Sequence, residues 1–408
     1  MKKRILLVEG LPPSLRELGE ELAVASKEWE VHYKNTGVGA LDLLAEIPCD
    51  AVVADLRLID MGGHQLAGQV MQRFPRLHRV ILADLGDLQS LLKCVGSVHQ
   101  FLAKPCEAER LKVLLERAFA FDVWLPNQTV RELVGRMPRL PSPAASYTRL
   151  VTELQAAAPS LEAIGELVAE DPAVAAKVLQ LANSAAYGPP LDEADPVLAV
   201  EELGLENTRG LVLLAHSYSS FNDLEGDGFS VDALWRHSVR TGRFARWIGQ
   251  AEDASGETIQ QAFSAGLLHD IGKLALGANL PKLFRDARQL MTSRHLTDWE
   301  SEQEIFGATH GEVGACLLAT WGLPVPVVEA VAHHHHPTRF LSNLFSPLTA
   351  VHVANAFEHA ASLSDARARV DRSYLRELGV ENRLPRWWDF CHTRPTEEPA
   401  SASPDLRS

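Results

Sequence analysis

Residues 266–276 read GLLHDIGKLAL and place a histidine and an aspartate, His269 and Asp270, side by side in an otherwise apolar, helix-like run. A buried charge is costly unless it is paired or binds a metal, so this pair is the first candidate for chemistry. The same helical pattern extends on both sides. From YTRLVTELQAAAP (147–159) to VEAVAHHHH (328–336), apolar residues recur at three- and four-residue spacing, the period of one helix face. Serine or aspartate stands at the N-cap position of several runs, as in PSLEAIGELVAE (159–170) and DPAVAAKVLQLANSA (171–185), with glycine or proline after them. No alternating strand pattern of similar strength occurs here, and residues 358–380 also look helical. An all-α domain is therefore expected over residues 147–380.

Toward the N-terminus the pattern changes. The strand-like segments RILLVE, EVHYKN, DAVVADL, RVILADL and HQFLAKP alternate with the helix-like PSLRELGEELAVA, VGALDLLAEI, GHQLAGQVMQRF, LQSLLKCVG and EAERLKVLLERAFAF. Five βα units in succession predict an α/β domain over residues 1–122: a doubly wound, five-stranded parallel sheet with helices on both faces. Ligands of such sheets collect at the carboxyl ends of the strands. Glu9, Asp55 and Lys104 stand at the ends of the first, third and fifth strands, and Pro105 closes the last one. A connector is expected over residues 123–146, ending in the Pro- and small-residue run RMPRLPSPAAS (136–146). The chain thus reads as multidomain, an α/β domain followed by a helical one. In residues 381–408, RLPRWWDF (383–390) offers two tryptophans to the core or to a partner. PTEEPASASPDLRS (395–408) then has the composition of a disordered tail.

With 408 residues, 46% hydrophobic and 23% charged, the chain is globular in type and long enough for two or three cores. No apolar run approaches the roughly 18–20 residues that span a bilayer. The opening MKKRILLVEG has only four consecutive apolar residues before Glu9, which suits a first strand better than an export signal. A cytoplasmic protein without membrane association is expected. A formal net charge of −14 disfavours nucleic-acid backbones, and no DNA-binding domain is apparent. The five cysteines, at 49, 94, 106, 316 and 391, form no Cys-x-x-Cys pair, which argues against a zinc ribbon, a redox motif or a disulfide framework.

Over about residues 3–120 the strand-end arrangement resembles the receiver domain of bacterial response regulators. That resemblance implies a receiver pocket of Glu9 and Lys104 around the candidate phosphoacceptor Asp55, in DLRLIDMGG, with a histidine kinase as phosphoryl donor. The pattern is incomplete. Gly10 stands where the family has a second acidic residue, and Ala83 where it has a hydroxyl that senses phosphate. Mg²⁺ is held through carboxylate oxygens in near-octahedral geometry, so only weak Mg²⁺ binding is expected at this site. The bland alternative is a docking module in which Asp55 and Lys104 survive as an ion pair.

Over about residues 125–357 the chain resembles the HDOD family, divergent relatives of the HD-type metal-dependent phosphohydrolases. LPSPAASYTRLVTEL, DPAVAAKVLQLANSAAYGP, AVEELGLENTRGLVL, FSAGLLHDIGKLAL, HGEVGACLLATWGLP and HHHHP carry the match. The resemblance implies a metal site formed by His237, His269, Asp270, His310, His334 and His335, with Asn355 where the catalytic pattern has an aspartate. Imidazole and carboxylate ligands suit a divalent Fe, Mn or Zn. With Asp270 as the one sure carboxylate, two divalent ions would leave three positive charges uncompensated, so one ion is expected. Glu304, six residues before His310, is a candidate second charge. Lys273, four residues after His269, would share its face on a helix and could meet a phosphate or pair with an acid. Gly266 and Gly272 would let neighbouring helices approach closely. The run His333–His336 could equally be an exposed polar corner, and the remaining histidines, His352 and His359 among them, match no ligand position.

Receiver followed by HDOD implies a signal-transduction regulator of a two-component system, whose helical output domain acts mainly through interaction with a signalling protein, in a homo-oligomer. The alternative is a metal-dependent phosphohydrolase or phosphodiesterase on a nucleotide-type phosphate ester, with Asp270 and Lys273 as its catalytic residues. Asn355 weakens that alternative, as does GANLP after HDIGKLAL in place of the Gly-Tyr-Pro signature of cyclic-di-GMP-cleaving relatives. A third reading is a metal or nucleotide sensor without turnover.

Overall fold

The computed structural model describes residues 2–10, 14–25, 28–83, 94, 96–121, 128–136, 140, 144–156, 158–183, 193–216, 229–340 and 344–394. The helix expected over LQSLLKCVG lies largely outside these residues. So do the expected tail and part of the expected connector.

Five strands, β1 (Lys3–Val8), β2 (Trp29–Lys34), β3 (Ala51–Asp55), β4 (His78–Ala83) and β5 (Gln100–Ala103), pair in parallel in the order β2-β1-β3-β4-β5. β4 and β5 are buried along their whole length, as expected for parallel strands covered on both faces. Alternate side chains of each strand feed different faces. Ile5, Leu7, Val53 and Val80 pack with Leu18 and Leu22 of α1 (Ser14–Ala25) and with Leu111 and Leu115 of α4 (Ala108–Phe121). Leu6, Val8, Val52 and Ile81 pack with Leu41 and Leu44 of α2 (Gly37–Glu46) and with Leu66 and Val70 of α3 (Gly63–Arg73).

A helix lies within the expected connector, α5 (Gln128–Gly135), and the elements that follow it among the described residues are all helices. α6 (Ala144–Leu154), α7 (Leu161–Ala169), α8 (Pro172–Ala182) and α9 (Pro196–His216) come first. The capping residues read from the sequence hold: Ser160 accepts from the Ala163 N–H, and Asp171 from the N–H groups of Ala173 and Val174, with Pro172 at the first helical position. α9 is two helices merged across a kink at Gly204, whose φ of 72° is one that glycine adopts without strain. α10 (Val231–Ala251), α11 (Gly256–Leu268), α12 (Ile271–Asn279), α13 (Pro281–Arg294), α14 (Asp298–Phe306), α15 (His310–Thr320), α16 (Val325–His333) and α17 (Pro347–Glu358) follow. Every residue of α15 but Glu312, and all of α17 but its last, is buried, which fits their lack of a polar face. α18 (Leu363–Arg369), α19 (Arg372–Glu377) and α20 (Leu384–His392) close the domain. Trp387 of α20 is fully buried, and its indole N–H donates to Glu252 at the end of α10, so the RLPRWWDF segment packs on the core. Among the described residues no helix is long and apolar enough to cross a membrane.

The sheet and the helical domain share one continuous core on the α2–α3 side. Edge strand β5 meets α8, where the Gln180 amide donates to the carbonyls of Val98 and His99. It also meets α15, where the Gln100 amide donates to the Thr320 carbonyl at 3.2 Å. Arg79, fully buried at the start of β4, is satisfied by the carbonyls of Ser97 and Leu77 and by that of Gly135 at the end of α5.

Candidate metal centre

GLLHDIGKLAL is not one helix. α11 ends at Leu268, the chain turns at Asp270 (φ −101°, ψ 10°), and α12 restarts at Ile271. This corrects the expectation that Lys273 and His269 share a helical face: Lys273 instead reaches back three residues to Asp270, Nζ to Oδ2 3.1 Å. The turn aims the Asp270 carboxylate at the end of α15. Two glycines make the approach possible. At Gly266 an added Cβ would lie 2.8 Å from Gly242 Cα on α10, and at Gly272 it would collide with the His310 carbonyl.

Around Asp270 converge the inner ring nitrogens of five histidines. His237 Nε2 lies 3.0 Å from His269 Nε2, and these two nitrogens lie 3.7 and 3.5 Å from Asp270 Oδ2. On the other side, His310 Nε2 lies 3.2 Å from Asp270 Oδ1, 3.0 Å from His335 Nε2 and 3.4 Å from His334 Nε2. His237, His269 and Asp270 form one group able to hold a metal ion, and His310, His334 and His335 another. Asp270 is 2% exposed and His269 and His310 are 0%.

The outer nitrogens explain why the inner ones matter. Nδ1 of His269 donates to the Gly266 carbonyl (2.7 Å) and that of His334 to the Val331 carbonyl (2.8 Å). Nδ1 of His237 donates to Glu358 (2.6 Å) and that of His310 to Glu302 (2.6 Å). With the ring proton on Nδ1, each neutral imidazole presents a bare Nε2 lone pair. Lone pairs facing one another at 3.0–3.4 Å repel unless a cation or a proton lies between them. Asn355 Oδ1, also buried, lacks a hydrogen-bond partner among the described residues. The donor set therefore fits a divalent cation, with neutral imidazoles and one carboxylate.

The electrostatics agree for most of the ring. Burial pushes the His269 imidazole down to about 3 and holds His334 and His335 well below the usual histidine range, so these three stay neutral. Burial also disfavours a charged His310, but the Glu302 carboxylate and a bond to Asp270 outweigh it and raise His310 to about 9. A metal ion at His310 must displace that proton. Burial would raise the Asp270 carboxyl, yet His269, Lys273 and His310 together hold it well below the usual carboxylate range.

The structure brings together every histidine expected as a ligand, and it places Asn355 in the buried helix α17. His334 and His335 leave the expected polar corner and join the cluster. His333 stacks on Phe340 and His336 packs edge-on to Trp299. Glu304 does not supply the second charge: it pairs with Arg294 at the surface. That charge comes from residues the sequence reading passed over, namely Glu302, Glu358 and Asp298, the last paired with Lys273 at 3.1 Å. Once these three and Lys273 are counted, two divalent ions would leave one uncompensated positive charge instead of three. His359, read as an ordinary histidine, stacks on His237 with ring centroids 4.5 Å apart. His352 is structural, donating to the His334 carbonyl and accepting from the Asp371 N–H.

At the carboxyl ends of the strands, Lys104 Nζ and Asp55 Oδ2 form a short ion pair. The loop after β3 folds over Gly10, where an added Cβ would lie 3.0 Å from the Arg57 carbonyl oxygen and the Ile59 nitrogen. Little room remains for the second carboxylate of a Mg²⁺ site. Asp60 is turned away to cap α2, accepting from the N–H groups of Gly37 (2.8 Å) and Val38 (2.9 Å). Among the described residues, Glu9 and Asp55 belong to no group of three metal-binding side chains.

The HDOD domain model matches residues 140–337. An uncharacterized protein of Treponema pallidum is 26% identical over 208 residues, which cover 51% of this chain and 39% of that protein. The regulatory protein LuxO of Vibrio cholerae is 29% identical over 113 residues, 26% of this chain and 25% of LuxO. The chain thus spans about two-fifths and one quarter of the lengths of these relatives. Among solved structures, a virulence factor from Campylobacter jejuni shares the fold over 66% of this chain and 98% of its own, at 18% identity and a TM-score of 0.50.

Proposed function

We propose that this chain, in which an HDOD domain at residues 140–337 follows a sheet resembling response-regulator receiver domains, is a bacterial signal-transduction regulator whose helical domain is built around a buried divalent-metal centre and acts through protein interaction. The observation that carries the reading is the ring of inward-facing Nε2 atoms around Asp270. His237, His269, His310, His334, His335 and Asp270 would hold the ion. Bound there, it would supply Lewis acidity to the site and tie α10, α15 and the loop after α16 together. Two features favour a scaffold over turnover. The central ligands are almost fully buried, and Lys273 is engaged by Asp270 and Asp298 instead of standing open to an anionic substrate. In this reading the receiver-like sheet is a docking module and the Asp55–Lys104 pair is structural.

The test is the metal content of untagged full-length protein by mass spectrometry, beside His269→Ala. At least one divalent ion per chain, lost in the variant, is expected; a wild-type protein that stays metal-free when Mn²⁺, Fe²⁺ or Zn²⁺ is supplied would refute the proposal. The phosphohydrolase reading keeps one specific support: the two oxygens of Asp270 face two separate histidine groups, an arrangement suited to activating water. Hydrolysis of a generic phosphodiester with added Mn²⁺, abolished in Asp270→Ala, would establish it.

A further inference from the structure

α14 supplies no side chain to the histidine ring, yet it braces two residues that belong to it. One oxygen of Glu302, Oε2, accepts both from the backbone N–H of His310 (2.7 Å) and from its Nδ1–H (2.6 Å). Glu302 is itself only 3% exposed, so this carboxylate is withdrawn from water and committed to one residue. One turn earlier on α14, Asp298 meets Lys273 at 3.1 Å, and Lys273 in turn meets Asp270 Oδ2 at 3.1 Å. Positions 298 and 302 are four residues apart and share a helix face. That face therefore backs both partners of the 3.2 Å approach between His310 Nε2 and Asp270 Oδ1. α14 is held at both ends, by the reciprocal Thr297–Glu300 capping box and by Gly307 in the left-handed conformation.

Resting on the metal-holding reading above, we propose that Glu302 and Asp298 are positioning residues of the site, and that α14 is the element that sets how tightly it retains a divalent cation. A carboxylate on the outer nitrogen of an imidazole fixes its tautomer and makes the inner nitrogen a stronger donor. Glu302 does this for His310 while also fixing the backbone from which His310 springs. Asp298 takes up part of the Lys273 charge, so that the ammonium orients Asp270 without claiming its oxygen as a full counter-ion.

Full-length Glu302→Gln and Asp298→Asn keep side-chain volume and an accepting oxygen but lose the charge. Affinity for Zn²⁺ and Mn²⁺, read by competition with a chromophoric chelator, is expected to fall about 10–100-fold in each. Glu304→Gln, on the same helix but paired with exposed Arg294, should bind as the wild type does. In metal-free protein, the ¹⁵N resonances of the His310 ring should move in Glu302→Gln and stay fixed in Glu304→Gln, a change that loss of packing alone would not confine to one ring. Should Glu302→Gln fail to fold, judged by its urea transition, Asp298→Asn carries the test. Wild-type affinity in Asp298→Asn, or in a folded Glu302→Gln with unmoved ring resonances, overturns the proposal. If the wild type takes up no metal, the metal reading fails, and the ring resonances alone decide whether Glu302 positions His310.

Discussion

Replacing Gly272 by alanine adds one methyl group at the place where α12 crosses the start of α15. The new Cβ would overlap the carbonyl oxygen of His310 and stand 2.8 Å from its carbonyl carbon and 3.0 Å from the Gly314 nitrogen. Carbon atoms in ordinary contact are about 3.5–4.0 Å apart, so the helices must separate by about 1 Å. Both sides are backbone, and no side chain can rotate away to absorb the overlap. Overpacking of this kind costs roughly 1–3 kcal/mol; against it stands the better helix propensity of alanine, worth about 1 kcal/mol. With backbone on both sides the upper end of that cost applies, so a net loss of about 2 kcal/mol is expected, seen as a lower midpoint in urea. The same movement would stretch the 3.2 Å approach of Asp270 to His310, so metal retention should fall with stability. Gly68→Ala is the matched control: it lies inside α3 with open space around it, and should stabilise by about 0.5–1 kcal/mol. A Gly272→Ala protein with wild-type midpoint and wild-type metal content would refute the close-approach argument.

Other outcomes follow from the same structure. Lys177 on α8 lies over the Trp321 ring at 3.8 Å and bonds Gln180, and burial pushes its ammonium down to about 7. The unfolded chain then binds one more proton than the folded one between about pH 7 and the ordinary lysine range near 10.4, so this group makes stability rise with pH across that window. Lys177→Met should flatten that part of the urea-stability profile, and an unchanged slope would remove Lys177 as its source. Asn355→Asp would add a carboxylate where an amide oxygen now lacks a partner. Attraction to a cation at about 4 Å is worth about 4 kcal/mol per unit charge at an effective dielectric of 20, before desolvation is subtracted, so divalent affinity should rise at least about tenfold by chelator competition. Acetyl phosphate or beryllofluoride with Mg²⁺ should leave the hydrodynamic size and tryptophan fluorescence unchanged in the wild type and in Asp55→Asn alike. A shift in the wild type that the variant abolishes would instead make Asp55 a working phosphoacceptor.

The strands were legible because parallel strands buried on both faces are uninterrupted apolar runs, as in RILLV and RVILA, and the helices because their apolar spacing and Ser or Asp caps are local signals. The inner histidines were legible through the family pattern. Their outer partners were not. Glu358 and His237 are 121 residues apart, and no sequence rule joins them, although Glu358 follows Asn355 by three residues and so lies near its face of α17. Glu304 was read in place of Glu302. The two residues differ by two positions, about 200° around a helix, which puts one against His310 and the other in solvent beside Arg294. The break at Asp270 was hidden because both flanks are strong helix formers, and the turn is stabilised by tertiary contacts with α15.

α15 begins with His310 in the histidine ring and ends with Thr320, whose carbonyl takes the Gln100 amide of the sheet. Eleven residues make a rod about 16 Å long, buried along its length except at Glu312. Its length is therefore a ruler. One residue inserted or removed would turn His310 by about 100° relative to Thr320 and slide it by about 1.5 Å, so the docking edge and the ring of imidazoles could not both be kept. Substitution within this segment has some latitude, but a change in its residue count has none.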